Sequence, residues 1–355
     1  MNALEGLAGF KKQVDQELEI YLDKTIEKAE EHDAIVADAL RYVKKVVLAG
    51  GKRIRPAFMY YGYLAAGGKE REKIIRASIS IELVHVFLLI HDDIMDRDNT
   101  RHGIDTVHYK YEKLGKTFFK EGDFQHFGRS MAIIIGDMVG AFGNQIIYDS
   151  KFDSDLIMQA LSRLQSIIAM TVIGQSQDIF IEYKKEATEK EILSMYENKT
   201  AKYTIEGPLH LGATLNGATD EELKMLSSYA IPIGIAFQIQ DDILGIFGSE
   251  KKLGKQVGSD IEEGKQTILV AKAREFGNKS QKEILNNILG KKNLAIKDIE
   301  AFQQMIIASG SLEYANKMAR ELILQGKAAL DNMKIEPEAK DFLEGIAQYM
   351  IEREL

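Results

Sequence analysis

The sequence predicts an all-α fold, and three observations carry that prediction. Apolar residues recur at three- and four-residue steps over most of the 355 positions, the period of a helix with a buried face. Only four prolines (Pro56, Pro208, Pro232 and Pro337) interrupt the chain, leaving long stretches free of the strongest helix breaker. Period-two alternation of the kind that marks strands is essentially absent.

Near the N-terminus, Val14, Leu18, Tyr21, Leu22 and Ile26 form one apolar stripe, and Ile35, Leu40, Val43 and Val47 form a second. His32-Asp33 breaks the pattern, so two amphipathic helices joined by a short turn are expected. Gly50-Gly51 ends the second helix and Arg55-Pro56 opens a third. Residues 74–95, 131–148, 156–183, 192–215 and 222–247 are apolar at most positions and read as long, buried helices. Residues 97–129 are charged, aromatic and Gly-containing without clean periodicity; they read as a loop, with a lid-like insertion around 107–129. The polar stretch 248–265 separates the last buried helix from shorter ones at 267–276, 281–289, 296–308, 312–333 and 338–354. No repeat at solenoid spacing is present, so one large domain spanning 1–355 is expected.

Composition narrows the function classes. The chain is 45% hydrophobic and 28% charged, with a net charge of −8, which speaks against a general nucleic-acid binder. With no cysteine, disulfides, thiolate metal sites and thiol nucleophiles are excluded. The apolar stretches are interrupted by acids such as Asp137, so no span of ~20 apolar residues and no stable membrane insertion is expected. The first twelve residues lack a basic-then-apolar leader pattern, and a cytoplasmic location is the expectation.

The chemistry concentrates in acidic pairs. His91-Asp92-Asp93-Ile94-Met95-Asp96 ends a very apolar helix, with Asp92 and Asp96 on one face. Two carboxylates ~5 Å apart at an effective dielectric of ~20 repel by roughly 3 kcal/mol, which a hard dication such as magnesium relieves. Gln238-Ile239-Gln240-Asp241-Asp242-Ile243-Leu244-Gly245 repeats the theme near the end of another apolar helix. A solvated acidic helix end explains one such cluster, whereas two clusters favour metal binding. The cations alternate with them: Gly50-Gly51-Lys52-Arg53-Ile54-Arg55-Pro56 at a helix start, then Arg101-His102, Lys199-Thr200, Lys255 and Lys265. A helix start with Arg and Lys nearby suits phosphate oxygens.

Taken in this order, these motifs resemble the trans-isoprenyl diphosphate synthase family over nearly the whole chain. The resemblance implies a bundle of long helices around a central cavity, usually a homodimer. It implies head-to-tail condensation of isopentenyl diphosphate with an allylic diphosphate, using several Mg²⁺ ions, with Mn²⁺ as a substitute. Asp92, Asp96 and Asp241 would ligate the metal, with Asp93 and Asp242 ligating or supporting. Arg101, Lys199 and Lys255 would grip the allylic diphosphate, with Lys265 beside the same loop. Lys52, Arg55 and His85 match the isopentenyl diphosphate subsite, and Thr200 and Gln238 would face the allylic cation. Gln175 and Asp178 match a further family motif, with a structural hydrogen-bonding role or a catalytic one, and His91 and Asp137 read as structural neighbours.

Two positions depart from the family pattern. Gly245 stands where many members carry a third Asp, and His102 stands where a second Arg is usual. A histidine with a pKa near 6.5 would be only partly charged at neutral pH. Phe87, five residues before Asp92, resembles the aromatic cavity floor of short-chain members, with Leu88 beside it. One aromatic there implies geranylgeranyl diphosphate (C20) as product, with farnesyl diphosphate (C15) as the alternative. A low-activity or regulatory subunit is a further alternative, although such subunits tend to lose the acidic motifs and the first is intact here. Terpene cyclases usually lack the Lys52/Arg55 pair. A ferritin-type bundle needs Glu-x-x-His pairs that do not occur at suitable positions.

Overall fold

A computed structural model describes residues 3–248 and 258–352. Lys255, placed by the resemblance on the diphosphate, lies outside the described residues. The described chain is helical apart from a hairpin of two-residue strands, β1 (Thr100–Arg101) and β2 (Ile104–Asp105). It forms two compact units, residues 1–164 with 211–217, and residues 165–210 with 218–355.

The first unit is built from α1 (Ala3–Glu30), α2 (Ala34–Leu48), α3 (Ile54–Ala65), α4 (Arg71–Asp96), α5 (Val107–Phe118) and α6 (Phe124–Tyr148), with the start of α7 (Ser154–Lys184). Asp33 caps α2 by accepting from the Ile35 and Val36 amides, so the break expected at His32-Asp33 is a helix cap. Helix α4 is buried on nearly every side, among α1, α3 and α6. On α6, Gly140 and Gly143 let α4 approach closely; a methyl group at Gly143 would crowd Val84 and the Ser80 carbonyl.

The stretch expected to be a loop is instead largely helical. Helix α5 occupies 107–118 and packs along α6, burying Val107, His108 and Tyr111. Gly128 explains how: a Cβ there would overlap the His108 carbonyl, so the two helices touch backbone to backbone. The helix is only twelve residues long, too short for the apolar period to stand out among Lys and Tyr residues.

The second unit comprises the rest of α7, α8 (Glu189–Tyr196), a ten-residue π-helical segment (Glu197–Glu206), the start of α9 (Gly207–Thr214) and α10 (Asp220–Phe247). It continues through α11 (Ser259–Glu263), α12 (Ile268–Phe276), α13 (Lys279–Ile288), α14 (Ile296–Ala308), α15 (Ser311–Asp331) and α16 (Pro337–Glu352). Capping boxes at Thr188 and Thr219 start α8 and α10. The core surrounds α10, against α15 and the π segment. The span read as one helix from 192 to 215 is thus two α-helices with a π turn between them.

Among the described residues, four helices (α4, α6, α7 and α10) are long and apolar enough to cross a membrane by length and composition, contrary to the sequence expectation. The apolar windows of α4 and α10 are 67% buried inside the protein, whereas those of α6 and α7 are 39% and 22% buried. The last two therefore leave apolar side chains exposed, among them Ile134 on α6 and Phe180 and Tyr183 on α7.

Candidate active site

In the first unit, α4 delivers the acidic cluster at its C-terminal end, where Arg97 adopts a left-handed conformation and stops the helix. Asp92 and Asp96 are half-buried, whereas Asp93 is 5% exposed. Asp93 accepts a hydrogen bond from Arg101 Nε at 2.6 Å, and Arg101 Nη2 lies 3.5 Å from Asp98. Burial pushes the Asp93 carboxyl up to about 6, against the pull of Arg101. The hairpin that carries Arg101 is thereby fastened to the end of α4. Asp93 is engaged inside the protein, whereas Asp92 and Asp96 are half-buried on a shared helix face.

Beside this pair lies a cleft lined by Gly50, Gly51, His85, Arg101 and His102. Lys52 is exposed and Arg55 half-buried. The His85 imidazole is held well below its usual range by burial and by Arg55, Arg101 and Arg53. His102 sits in the hairpin turn at a φ of 51°, its ring against Gly50, where a Cβ would come 3.0 Å from the ring. Partial burial, Arg101 and Arg53 lower its pKa as well. The cationic character of this cleft rests on Arg53 and Arg101.

Phe87 and Leu88 are half-buried one turn before Asp92. The Phe87 ring stands edge-on to His91, with centroids 5.0 Å apart, and faces Gly140 of α6, where a Cβ would lie 3.2 Å away. His91 itself meets the Ile133 carbonyl at 3.2 Å and lies 3.7 Å from Asp137. It packs between helices α4 and α6.

In the second unit, Asp241 is half-buried and Asp242 is 6% exposed. A hydrogen-bond chain fixes Asp242: the Tyr196 hydroxyl donates to one carboxylate oxygen, and Gln238 Nε2 donates to the other at 2.8 Å. Thr200 Oγ1 donates to Gln238 Oε1 at 2.6 Å, so the amide orientation is set, and the Ile268 amide donates to Tyr196 at 3.0 Å. Burial pushes Asp242 up to about 8 despite the two donors. Asp242 thus serves as an internal acceptor, and Asp241 is the accessible member of the pair.

The π segment places Lys199 so that its Nζ donates to Asp178 Oδ2 at 2.5 Å, with Lys265 Nζ 3.7 Å from the same oxygen. Burial would raise the Asp178 carboxyl, but these two lysines hold it below the usual range. Two cations separated by 66 positions are therefore brought to one carboxylate. A wider helical turn at a catalytic position is a recurrent device. Here Gly174 on α7 and Gly234 on α10 accommodate it, because a Cβ on either would overlap the backbone of Lys199 or Ala201.

Several residues had no signature in the sequence. Tyr196 and Arg53 look like an ordinary core aromatic and one more cation of a basic motif. Asp260 explains Gly245, since its carboxylate occupies the space that a Cβ at 245 would enter. Among the described residues no three carboxylate or imidazole groups converge on one point. Half-buried Asp92 and Asp96, four apart on one helix, nevertheless fit a hard dication that completes its shell with water and ligand oxygens.

Comparison with known proteins agrees with this geometry. A model of the polyprenyl synthetase family matches residues 35–306. The geranylgeranyl diphosphate synthase of Methanosarcina mazei is 37% identical over 316 residues, covering 89% of each chain. That of Saccharolobus solfataricus is 36% identical over 311 residues, covering 86% of this chain and 87% of the relative. Among solved structures, a geranylgeranyl pyrophosphate synthase from Corynebacterium glutamicum, complexed with isoprenyl diphosphate and magnesium, superposes with a TM-score of 0.91 at 33% identity. The superposition covers 97% of this chain and 99% of that one.

Proposed function

This chain belongs to the polyprenyl synthetase family and is a prenyltransferase, and on that premise we propose that it joins isopentenyl diphosphate head to tail to an allylic diphosphate, stopping at geranylgeranyl diphosphate. The observation that carries the reading is the half-buried Asp92–Asp96 pair beside a cleft of cationic side chains in the same unit.

Magnesium, when bound by Asp92 and Asp96 of the first unit, would neutralise charge developing on the departing diphosphate, and Asp241 is the carboxylate that the second unit offers for the same chemistry. Lys199, Lys265 and Arg101 bind diphosphate oxygens from anchored positions, their carboxylate partners Asp178 and Asp93 holding the side chains in place before substrate arrives. Lys52 and Arg55 hold the second diphosphate with charge, and His85 and His102 contribute as neutral hydrogen-bonding groups. Thr200 and Gln238 present oriented oxygens toward the allylic carbon as it becomes cationic. The double bond of isopentenyl diphosphate forms the new C–C bond to the allylic carbon as its C–O bond to diphosphate breaks, and the released pyrophosphate takes the proton lost in the final elimination, so neither a protein nucleophile nor a protein base is required.

A homodimer accounts for the apolar faces that α6 and α7 leave exposed, Ile134, Phe180 and Tyr183 among them. A sedimentation mass equal to one chain would rule this assembly out. Phe87 closes the growing-chain path from α4, its ring supported by His91 and Gly140. Phe87→Ala is therefore expected to shift the main product beyond C20 by at least one isoprene unit; an unchanged product profile would place the floor elsewhere.

The function is tested with isopentenyl diphosphate, Mg²⁺ and the C5, C10 and C15 allylic diphosphates, resolving products by chain length. Elongation ending at C20 is expected. Products ending at C15 would change the product assignment, and no turnover from any primer would overturn the condensation reading.

A further inference from the structure

We infer that Arg53 is the positioning residue of the isopentenyl diphosphate headgroup subsite, a buried clamp that fixes the start of α3 and so the placement of Lys52 and Arg55 on either side of it. The inference rests on the condensation reading above, in which Lys52 and Arg55 hold that headgroup.

Arg53 is the N-cap of α3 and adopts a left-handed conformation, φ 55° and ψ 37°, two residues after Gly51 at φ 97°. That conformation is sterically unfavourable for a residue with a Cβ and persists only where surrounding contacts enforce it. Three contacts do so here. Arg53 Nε donates to Asp15 Oδ1 of α1 at 2.7 Å, Nη1 to Glu82 Oε1 of α4 at 2.5 Å, and Nη2 to the Val47 carbonyl of α2 at 2.6 Å.

One guanidinium thus ties the start of α3 to three other helices. Arg53 and Glu82 are 3% and 4% exposed, while Lys52, the next residue back, is exposed. With each of its nitrogens engaged, Arg53 acts through the loop and not on the diphosphate itself. Glu82 lies three residues before His85 on α4, so the clamp also sets the spacing between the start of α3 and the helix face carrying His85. Only a planar fork can serve three acceptors in these directions, so a lysine would not replace it.

The test uses the full-length protein with three substitutions: Arg53→Lys, Arg53→Met and the double Arg53→Met/Glu82→Met. Arg53→Met strands the Glu82 charge and is expected to lower Tm. The double variant removes both charges and is expected to recover Tm, because apolar replacement of a buried ion pair is commonly neutral or stabilising. Its KM for isopentenyl diphosphate is expected to stay raised by about tenfold or more, with KM for the allylic substrate unchanged. Arg53→Lys should raise the same KM while retaining the fold. A double variant with wild-type KM for isopentenyl diphosphate, or with both KM values rising together, would overturn the assignment. If the wild-type chain shows no turnover, the condensation reading itself fails. Calorimetric titration of inorganic pyrophosphate then decides the clamp: weaker binding to the double variant supports it, and equal binding overturns it.

Discussion

Asp92→Asn is expected to lower kcat by about 100- to 1,000-fold while leaving thermal stability within a degree or two of wild type. Asp92 is half-buried, shares a helix face with Asp96 and belongs to the pair that would hold the dication. An asparagine keeps the shape but removes the charge that a hard cation requires. Asp93→Asn, one residue further along the same helix, provides the contrast. Its carboxylate is buried on Arg101, so its loss should appear first as a stability defect, on the order of 2 kcal/mol. Steady-state kinetics across a magnesium titration, paired with thermal melts, separates the two. Equal kinetic and thermal behaviour of the two variants would contradict the division of labour between these neighbouring acids.

Gly174→Ala should damage both stability and turnover, although it adds only one methyl group. A Cβ at this position would overlap the Lys199 backbone, where α7 and the π segment are in direct contact. Overpacking of this kind costs about 1–3 kcal/mol. The segment displaced is the one that aims Lys199 at Asp178 and Thr200 at Gln238. A displacement of about 1 Å in such groups can cost on the order of 100-fold in rate. The measurement is kcat for C20 formation together with Tm. A lowered Tm with full kcat would mean that the π segment yields without moving Lys199.

Much of the fold was legible because long helices leave a period in the sequence. The stripes at Val14–Leu18–Leu22 and Leu40–Val43–Val47, and the break at His32-Asp33, needed no tertiary information. Helix α5 was not legible: it is twelve residues long, and its buried residues Val107, His108 and Tyr111 carry no strong apolar contrast with their neighbours. The π segment was hidden for another reason. Its widened turn is accommodated by glycines at 174 and 234, on two other helices, so no local property of 197–206 announces it.

The acidic and basic motifs themselves were determined by the sequence, because spacing along a helix fixes which carboxylates share a face. Asp92 with Asp96, and Asp93 turned from them, follow from 3.6 residues per turn alone. The partner of each charge was decided by tertiary structure: Asp178 for Lys199 and Lys265, Asp93 for Arg101, Tyr196 for Asp242, and Glu82 with Asp15 for Arg53. The physical reason is desolvation. A charged or polar group taken out of water must find a partner nearby in space, and the packing of helices, not their order along the chain, supplies it.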